Sequence, residues 1–168
     1  MSWTLRPAGP EDAEAMAETL QIGFDGYHAF APPGWRPPDA RSAVEVARMR
    51  ARVGDPSTWT MLAEDGGLVA GHGGYLPQPG VTGSAHLWQL FVRPPWWGKG
   101  VAPALLGEAR AAAAAQGYGR MRLFTPRDQR RARVFYEREG FRHTGWEALE
   151  ESIGLVLVEY ALEPLDER

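Results

Sequence analysis

Two spacings of apolar residues alternate along the chain, one suited to helices and one to strands, and together they lay out the fold. Residues 2–6 predict a short strand, and Pro7-Ala8-Gly9-Pro10 a turn. Ala13, Met16, Ala17 and Leu20 then recur at helical spacing behind Glu11 and Asp12, two carboxylates suited to a helix N-terminus. A helix is therefore expected over residues 11–22. A second is expected over residues 39–53, with Ala43, Val46, Ala47 and Arg50 along one side. Between them, residues 23–38 crowd Phe24, Tyr27, His28, Phe30 and Trp35 among glycines and prolines, which predicts an irregular aromatic loop. Loops of this kind tend to cover or bind something.

Residues 59–64 and 68–76 read as strands joined by Asp65-Gly66-Gly67, a hairpin turn. Gly71, Gly73 and Gly74 inside the second strand point to a bulge or a close approach of backbones. A loop over residues 77–83 leads to a strand over residues 87–93, stopped by Pro94-Pro95 because proline has no donor for the ladder. Gly98-Lys99-Gly100 makes a turn, and an alanine-rich helix runs on to Gln116. Glycines at 117 and 119 end it, and a buried strand over residues 120–125 follows. That strand–helix–strand order implies a parallel pair joined by a right-handed crossover. A helix over residues 128–139, with Ala132, Phe135 and Tyr136 on one side, closes at Gly140. Strands over residues 141–146 and 153–162 complete the chain, with an acidic loop at 147–151 between them. The reading is one α/β domain over residues 1–168, with a mixed sheet of about seven strands and about four helices on both faces.

The turn at Gly98-Lys99-Gly100 is the one place where this layout suggests chemistry. It delivers a strand into a helix N-terminus whose first amides have no partner within the helix, and its glycines let a ligand come close to the backbone. Such a terminus suits a phosphate. Pro103 does not spoil it, since a first-turn proline removes only a donor the helix cannot use. Two familiar phosphate loops are excluded. A Walker loop needs Ser or Thr after Gly-Lys, where Gly100 stands, and the dinucleotide fingerprint needs a third glycine, where Pro103 stands.

Composition narrows the classes without adding a site. The chain has 168 residues, 44% hydrophobic and 23% charged, with a net charge of −3. That balance gives no general attraction to nucleic acid or to an anionic membrane. There is no cysteine, hence no disulfide and no thiolate relay or ligand. The four histidines are scattered without a paired spacing, so no metal is expected. Neither a signal-peptide core nor a membrane span is evident, and a cytoplasmic monomer or homodimer is expected. Lys99 is the only lysine, which a GC-rich genome favouring arginine codons explains.

The strand, the Val-x-Pro break, the Gly-x-Gly-x-Ala turn and the Ala-Leu-Leu helix together resemble the GCN5-related N-acetyltransferase (GNAT) family. In that family the loop reads Gln/Arg-x-x-Gly-x-Gly/Ala, which maps onto Trp97, Gly98, Lys99, Gly100, Val101 and Ala102, with Trp97 departing from the first position. A second segment, Ala132-Arg133-Val134-Phe135-Tyr136-Glu137-Arg138-Glu139-Gly140-Phe141, is similar to the family's Ala-x-x-Phe-Tyr-x-x-x-Gly-Phe, with Gln129 where Asn is usual. The opening Thr-Leu-Arg-Pro-Ala-x-Pro-Glu-Asp-Ala-Glu-Ala resembles the family's first strand and helix. The resemblance implies a mostly antiparallel sheet and acetyl-coenzyme A as cosubstrate, its pyrophosphate held by the 97–102 loop. It further implies that backbone groups near Phe91, Val92 and Arg93 meet the thioester, and that Gln129, Arg131, Ala132 and Phe135 line the coenzyme. Either Arg130 or Arg131 would meet its 3′-phosphate.

The resemblance assigns Tyr136 as general acid to the departing thiolate, and a phenol with a pKa of about 10 does stay protonated at neutral pH. His86 falls where the histone-acetylating members carry a glutamate base, and an imidazole suits that task; His28 and Glu64 are alternatives. Period-two alternation would put His86, Trp88 and Leu90 on one face, with Leu87, Gln89 and Phe91 on the other. Tyr27, His28, Trp35 and Trp88 are expected to shape the site for a small-molecule or peptide amine. The expectation is acetyl transfer to a primary amine by direct attack in a ternary complex, since no cysteine can relay the acyl group. A non-catalytic acyl-coenzyme A-binding module, or a transferase of longer acyl groups, stays open beside it.

Overall fold

Leu62 and Ala63 are neighbours in sequence and both fully buried, yet they belong to different cores. Leu62 packs with Met16, Met49 and Val53, whereas Ala63 packs with Ala70, Val101 and Leu105. Successive strand residues point to opposite faces, so helices must cover this sheet on both sides. The computed structural model describes residues 2–165. In chain order these form β1 (Trp3–Pro7), α1 (Ala13–Gly26), α2 (Ala43–Gly54), β2 (Trp59–Asp65), β3 (Leu68–Pro77) and β4 (Ser84–Val92). Then come α3 (Val101–Ala115), β5 (Arg120–Pro126), α4 (Arg130–Arg138), β6 (Arg142–Glu150) and β7 (Leu155–Leu162). The seven strands form one sheet in the order β1-β2-β3-β4-β5-β7-β6. Only β4 and β5 run parallel, which makes the sheet mixed and mostly antiparallel, as expected.

α1 and α2 cover one face, over Met16, Met49 and Leu62; α3 covers the other, over Tyr75, Leu87, Leu106 and Met121. β4 and β5 pair only from Ser84 to Leu87 and from Arg120 to Leu123. Beyond that they part, and the cleft between them is the feature that matters for function. Proline at 94 and 95 and the short 3₁₀ turn Pro94–Trp96 carry the chain off the sheet before α3 begins.

Several boundaries differ from the sequence reading. α1 runs on to Gly26 and into a 3₁₀ turn at Tyr27–Ala29, so only the latter part of residues 23–38 is irregular. Gly23 does not break the helix. A Cβ there would lie 2.4 Å from the Phe91 ring, so the glycine is what lets β4 press against α1. α2 starts at Ala43, capped by the Ser42 hydroxyl, and buries Met49 and Val53 rather than the side traced by Ala43 and Arg50. The acidic residues 147–150 are not a loop. They continue β6, pairing with Leu155 to Val158 of β7, and an edge strand wet on both faces accepts such charges.

β4 also departs from simple alternation. Gly74 pairs with Gln89 and Tyr75 with Leu87, so Trp88 is an extra residue without a β3 partner. This bulge resets the alternation. Leu87 and Leu90 both pack under α3, while Trp88 packs with the α1–α2 core and Phe91 lies against α1. Leu90 therefore leaves the face expected for it, and Phe91 joins that of Trp88. The glycines of β3 permit this arrangement. A Cβ on Gly71 would sit 2.5 Å from the Phe91 carbonyl, and one on Gly74 would sit 2.6 Å from the Trp88 indole nitrogen.

Candidate functional site

The diverging strands open a cavity of about 1250 Å³ that reaches from the α3 N-terminus, between β4 and β5, to α1 and the β6–β7 turn. Its α3 end is a cradle of backbone donors. Gly98 (φ 73°) and Gly100 (φ 83°) hold left-handed conformations that favour glycine. Nothing lies within 4 Å of a Cβ placed on Gly98. The amides of Gly98, Gly100, Val101 and Ala102 find no acceptor among the described residues, and α3 adds the positive end of its dipole. Oxygen-rich anions such as a pyrophosphate fit that donor set. Lys99 stands apart from the cradle: its amide turns to the Trp96 carbonyl at 3.4 Å, and its carbonyl accepts from the Trp3 indole at 3.0 Å.

Three indoles pin this loop. Besides Trp3, Trp96 donates to Asp65 at 2.8 Å, and Trp97 donates to the Val92 carbonyl at 2.7 Å. The Arg131 guanidinium lies 3.7 Å from the centre of the Trp97 ring, so α4 and the loop meet across the cavity. Arg130, Ala132 and Phe135 line the same wall. Gln129 also lines it, and accepts from the Thr125 hydroxyl at 3.4 Å.

Along β4, the Arg93 amide donates to the Ala70 carbonyl at 2.8 Å. In an antiparallel ladder that phase gives the backbone groups of Phe91 to His72 and turns those of Leu90 and Val92 toward the cleft. The backbone donors that this stretch of β4 offers to the cleft are thus those of Leu90 and Val92. The Arg93 side chain looks away, bonded to the Thr19 hydroxyl at 2.9 Å and the Ala15 carbonyl at 3.1 Å, and ties β4 to α1.

Tyr136 lines the cavity from α4, its ring packed against Phe135, Phe141 and Tyr160. Its hydroxyl has no protein partner among the described residues, and burial raises the phenol above its ordinary value, keeping it protonated. His86 lines the cavity from β4 with Nδ1 buried and unpartnered. Burial, aided by the charges of Arg122 and Arg52, lowers its pKa to about 4, so it is a neutral imidazole at pH 7.

Of the four residues expected to shape the acceptor site, Tyr27 and Trp88 line the cavity, whereas His28 and Trp35 do not. Trp35 donates to the Ile153 carbonyl at 2.8 Å and meets the His28 ring edge-on, so both sit one layer behind, fastening the segment after α1 to the β6–β7 turn. Glu64 does not line the cavity and accepts from Arg6 at 2.8 Å. Phe24, named with the aromatic segment 23–38, lines the cavity, and sequence reasoning missed Gln89, Phe124, Glu150 and Ile153, which line it too. It also missed His72, fully buried behind Gln89 with Nε2 2.6 Å from the Gln89 carboxamide oxygen. The run Gly71-His72-Gly73-Gly74 was the available signal: glycines flanking one polar residue mark tight backbone packing around it.

The family model described as Acetyltransferase (GNAT) family matches residues 24–141. Among solved structures, the GCN5-related N-acetyltransferase of Rhodopseudomonas palustris is similar, with a TM-score of 0.77 and 20% identity over 97% of this chain and 96% of its own. yncA of Salmonella typhimurium, solved with its cofactor acetyl-CoA, gives a TM-score of 0.74 and 20% identity over 100% and 96%. The paiA N-acetyltransferase of Thermoplasma acidophilum, solved with coenzyme A, gives 0.69 and 18% over 95% and 98%. No curated protein matches the chain. No helix among the described residues is long and apolar enough to cross a membrane.

Proposed function

The chain belongs to the GNAT acetyltransferase family and is an acyltransferase, and from that premise we propose that it moves the acetyl group of acetyl-coenzyme A directly onto a primary amine in a ternary complex. One observation carries the proposal. The donor cradle at Gly98 to Ala102, the unpaired edge of β4 and the unpartnered phenol of Tyr136 all open into one cavity.

Acetyl-coenzyme A, when bound, supplies an activated acyl carbon and a thiolate leaving group. The amides of Gly98, Gly100, Val101 and Ala102 hold its pyrophosphate, and Arg131 on the opposite wall brings a positive charge. The cleft-facing amides of Leu90 and Val92 are placed to receive negative charge growing on the thioester oxygen. A nitrogen–carbon bond forms as the carbon–sulfur bond breaks. Tyr136 gives its proton to sulfur, and the proton lost from the amine passes to His86 or to water. A histidine with a pKa near 4 is in the right form to accept but is a weak base, so the apolar surroundings of the amine matter as much. Removal from water favours its neutral, nucleophilic form.

The test is thiol release from acetyl-coenzyme A in the presence of primary amines, paired with calorimetric binding of coenzyme A. Release that depends on amine supports the reading. Tight binding with no release for any amine would make this a binding module instead.

A further inference from the structure

We propose that the acceptor is a primary monoamine with an aromatic or aliphatic body, and that polycationic amines are excluded. The inference rests on the acetyl-transfer reading for the direction of the cavity. With the phosphates at α3 and the sulfur at Tyr136, the acceptor lies beyond Tyr136, between α1, the far part of β4 and the β6–β7 turn.

That end is walled by Phe24, Tyr27, Trp88, Phe124 and Ile153. The rings brace one another: Phe24 lies 5.8 Å from Tyr27 and 6.2 Å from Phe91, and Phe124 lies 5.6 Å from His86. A pre-formed aromatic wall recognises an apolar body by burying it, with little ordering cost.

The charge inventory points the same way. Among the described residues Glu150 is the only carboxylate lining the cavity, and it already accepts from the Ser152 hydroxyl at 2.7 Å and the Ser152 amide at 3.3 Å. The other charged groups of the lining are Arg130, Arg131 and Arg138 on α4. Behind the wall, Arg122 lies 4.4 Å over Phe124 and pairs with Glu159 at 3.4 Å, while Arg52 lies 5.9 Å over Trp88. At His86 burial opposes protonation first, and the charges of Arg122 and Arg52 add to it, with Glu159 offsetting part of their effect. A monoamine meets these charges only until it deprotonates, after which it is neutral. A polyamine or aminoglycoside must bring further ammonium groups, and burying a charge without a partner costs several kcal/mol per ion.

The experiment uses the protein saturated with coenzyme A and titrates 2-phenylethylamine, ethanolamine and spermidine by calorimetry, followed by thiol release from acetyl-coenzyme A with the same amines. Burying one phenyl group should make 2-phenylethylamine about 10- to 100-fold tighter than ethanolamine, with spermidine no better than ethanolamine. A carboxylate added at the mouth by Ile153→Glu, on an exposed turn, should move the preference toward spermidine by about 10-fold. Spermidine binding as well as 2-phenylethylamine, no detectable binding of 2-phenylethylamine, or an unchanged preference in a folded Ile153→Glu protein would overturn the proposal. Binding is read without turnover. Should the aryl amine bind selectively yet release no thiol, the transfer reading fails while the shape and charge of the chamber stand.

Discussion

Tyr136→Phe removes one oxygen from the cavity wall and nothing else. The ring contacts with Phe135 (5.2 Å), Phe141 (5.8 Å) and Tyr160 (6.4 Å) are kept. The hydroxyl has no hydrogen-bond partner to orphan among the described residues, so folding stability should change by less than about 1 kcal/mol. The rate is another matter. A positioned general acid typically contributes about 100- to 10,000-fold. A thiolate, with an ordinary thiol pKa of about 8.5, needs that help less than an alkoxide does. We therefore expect turnover to fall about 10- to 100-fold, a barrier increase of about 1.4 to 2.7 kcal/mol. Affinity for coenzyme A should not move. Because burial raises the phenol pKa, the neutral donor persists above the ordinary tyrosine range, and loss of activity from its ionisation begins only there. That limb should vanish in the variant. Thiol release followed from neutral pH upward, with calorimetry of coenzyme A in parallel, measures all of this. A folded variant with parental turnover and an unchanged pH profile would remove Tyr136 from the reaction.

Three further outcomes follow from the same geometry. Gly100→Asp meets only Trp3, 3.8 Å from the new Cβ, so its cost to folding is the left-handed strain of about 1–2 kcal/mol; a carboxylate facing phosphates should weaken coenzyme A binding by about 100-fold or more in calorimetry. Gly71→Ala puts its Cβ 2.5 Å from the Phe91 carbonyl and 3.0 Å from Val92 Cα; thermal melting should show about 1–3 kcal/mol of destabilisation, and an unchanged Tm would refute the packing argument. His72 is fully buried with its pKa lowered from 6.5 to about 4 by desolvation, so the folded state resists a proton that the unfolded chain accepts. Stability is complete above pH 6.5 and is lost as pH falls toward 4, by about 3 kcal/mol for this residue. His86 adds to the same window, whereas Asp12, held low by Arg6, acts only below 3.8. Urea midpoints should fall across that range and fall less steeply in His72→Leu.

The order of elements was legible because each has a strong local cause: helical spacing in α1 and α3, a glycine hairpin between β2 and β3, prolines after β4. The α3 end of the cavity was legible for the same reason, since its lining comes from two contiguous segments, Trp97 to Ala102 and Gln129 to Phe141. What failed were positions decided by contacts distant in sequence. Gly23 reads locally as a helix breaker and becomes a helix residue only because Phe91, on another element, fills the space beside it. The acidic tail of β6 reads as loop until β7 is there to pair with it. The bulge at Trp88 cannot be placed from β4 alone, because it is defined by a register against β3. The far wall of the cavity is harder still: Phe124 and Ile153 come from separate elements and carry no motif.

Trp97 shows how a departure from a motif is absorbed by the fold around it. In the resembling pattern this position carries Gln or Arg, whose side chain can reach toward phosphate. An indole has one donor and no charge, and here that donor is spent on the Val92 carbonyl at 2.7 Å. The side chain therefore ties the loop to β4 at the point where β4 has lost β5 as a partner, satisfying a strand carbonyl that would otherwise face the cleft. Its ring offers a flat surface to Arg131, whose guanidinium lies 3.7 Å away. Stacking of this kind suits arginine, which keeps its in-plane donors free while its face is covered. On the proposed reading, the positive charge that the loop position lacks is supplied from α4 and held in place by the residue that replaced it. Trp97→Ala should then weaken coenzyme A binding without touching the backbone cradle, and Trp97→Arg should restore it. Failure of the arginine to rescue a folded protein would mean that the indole matters as a pin for β4 and not as a platform for Arg131.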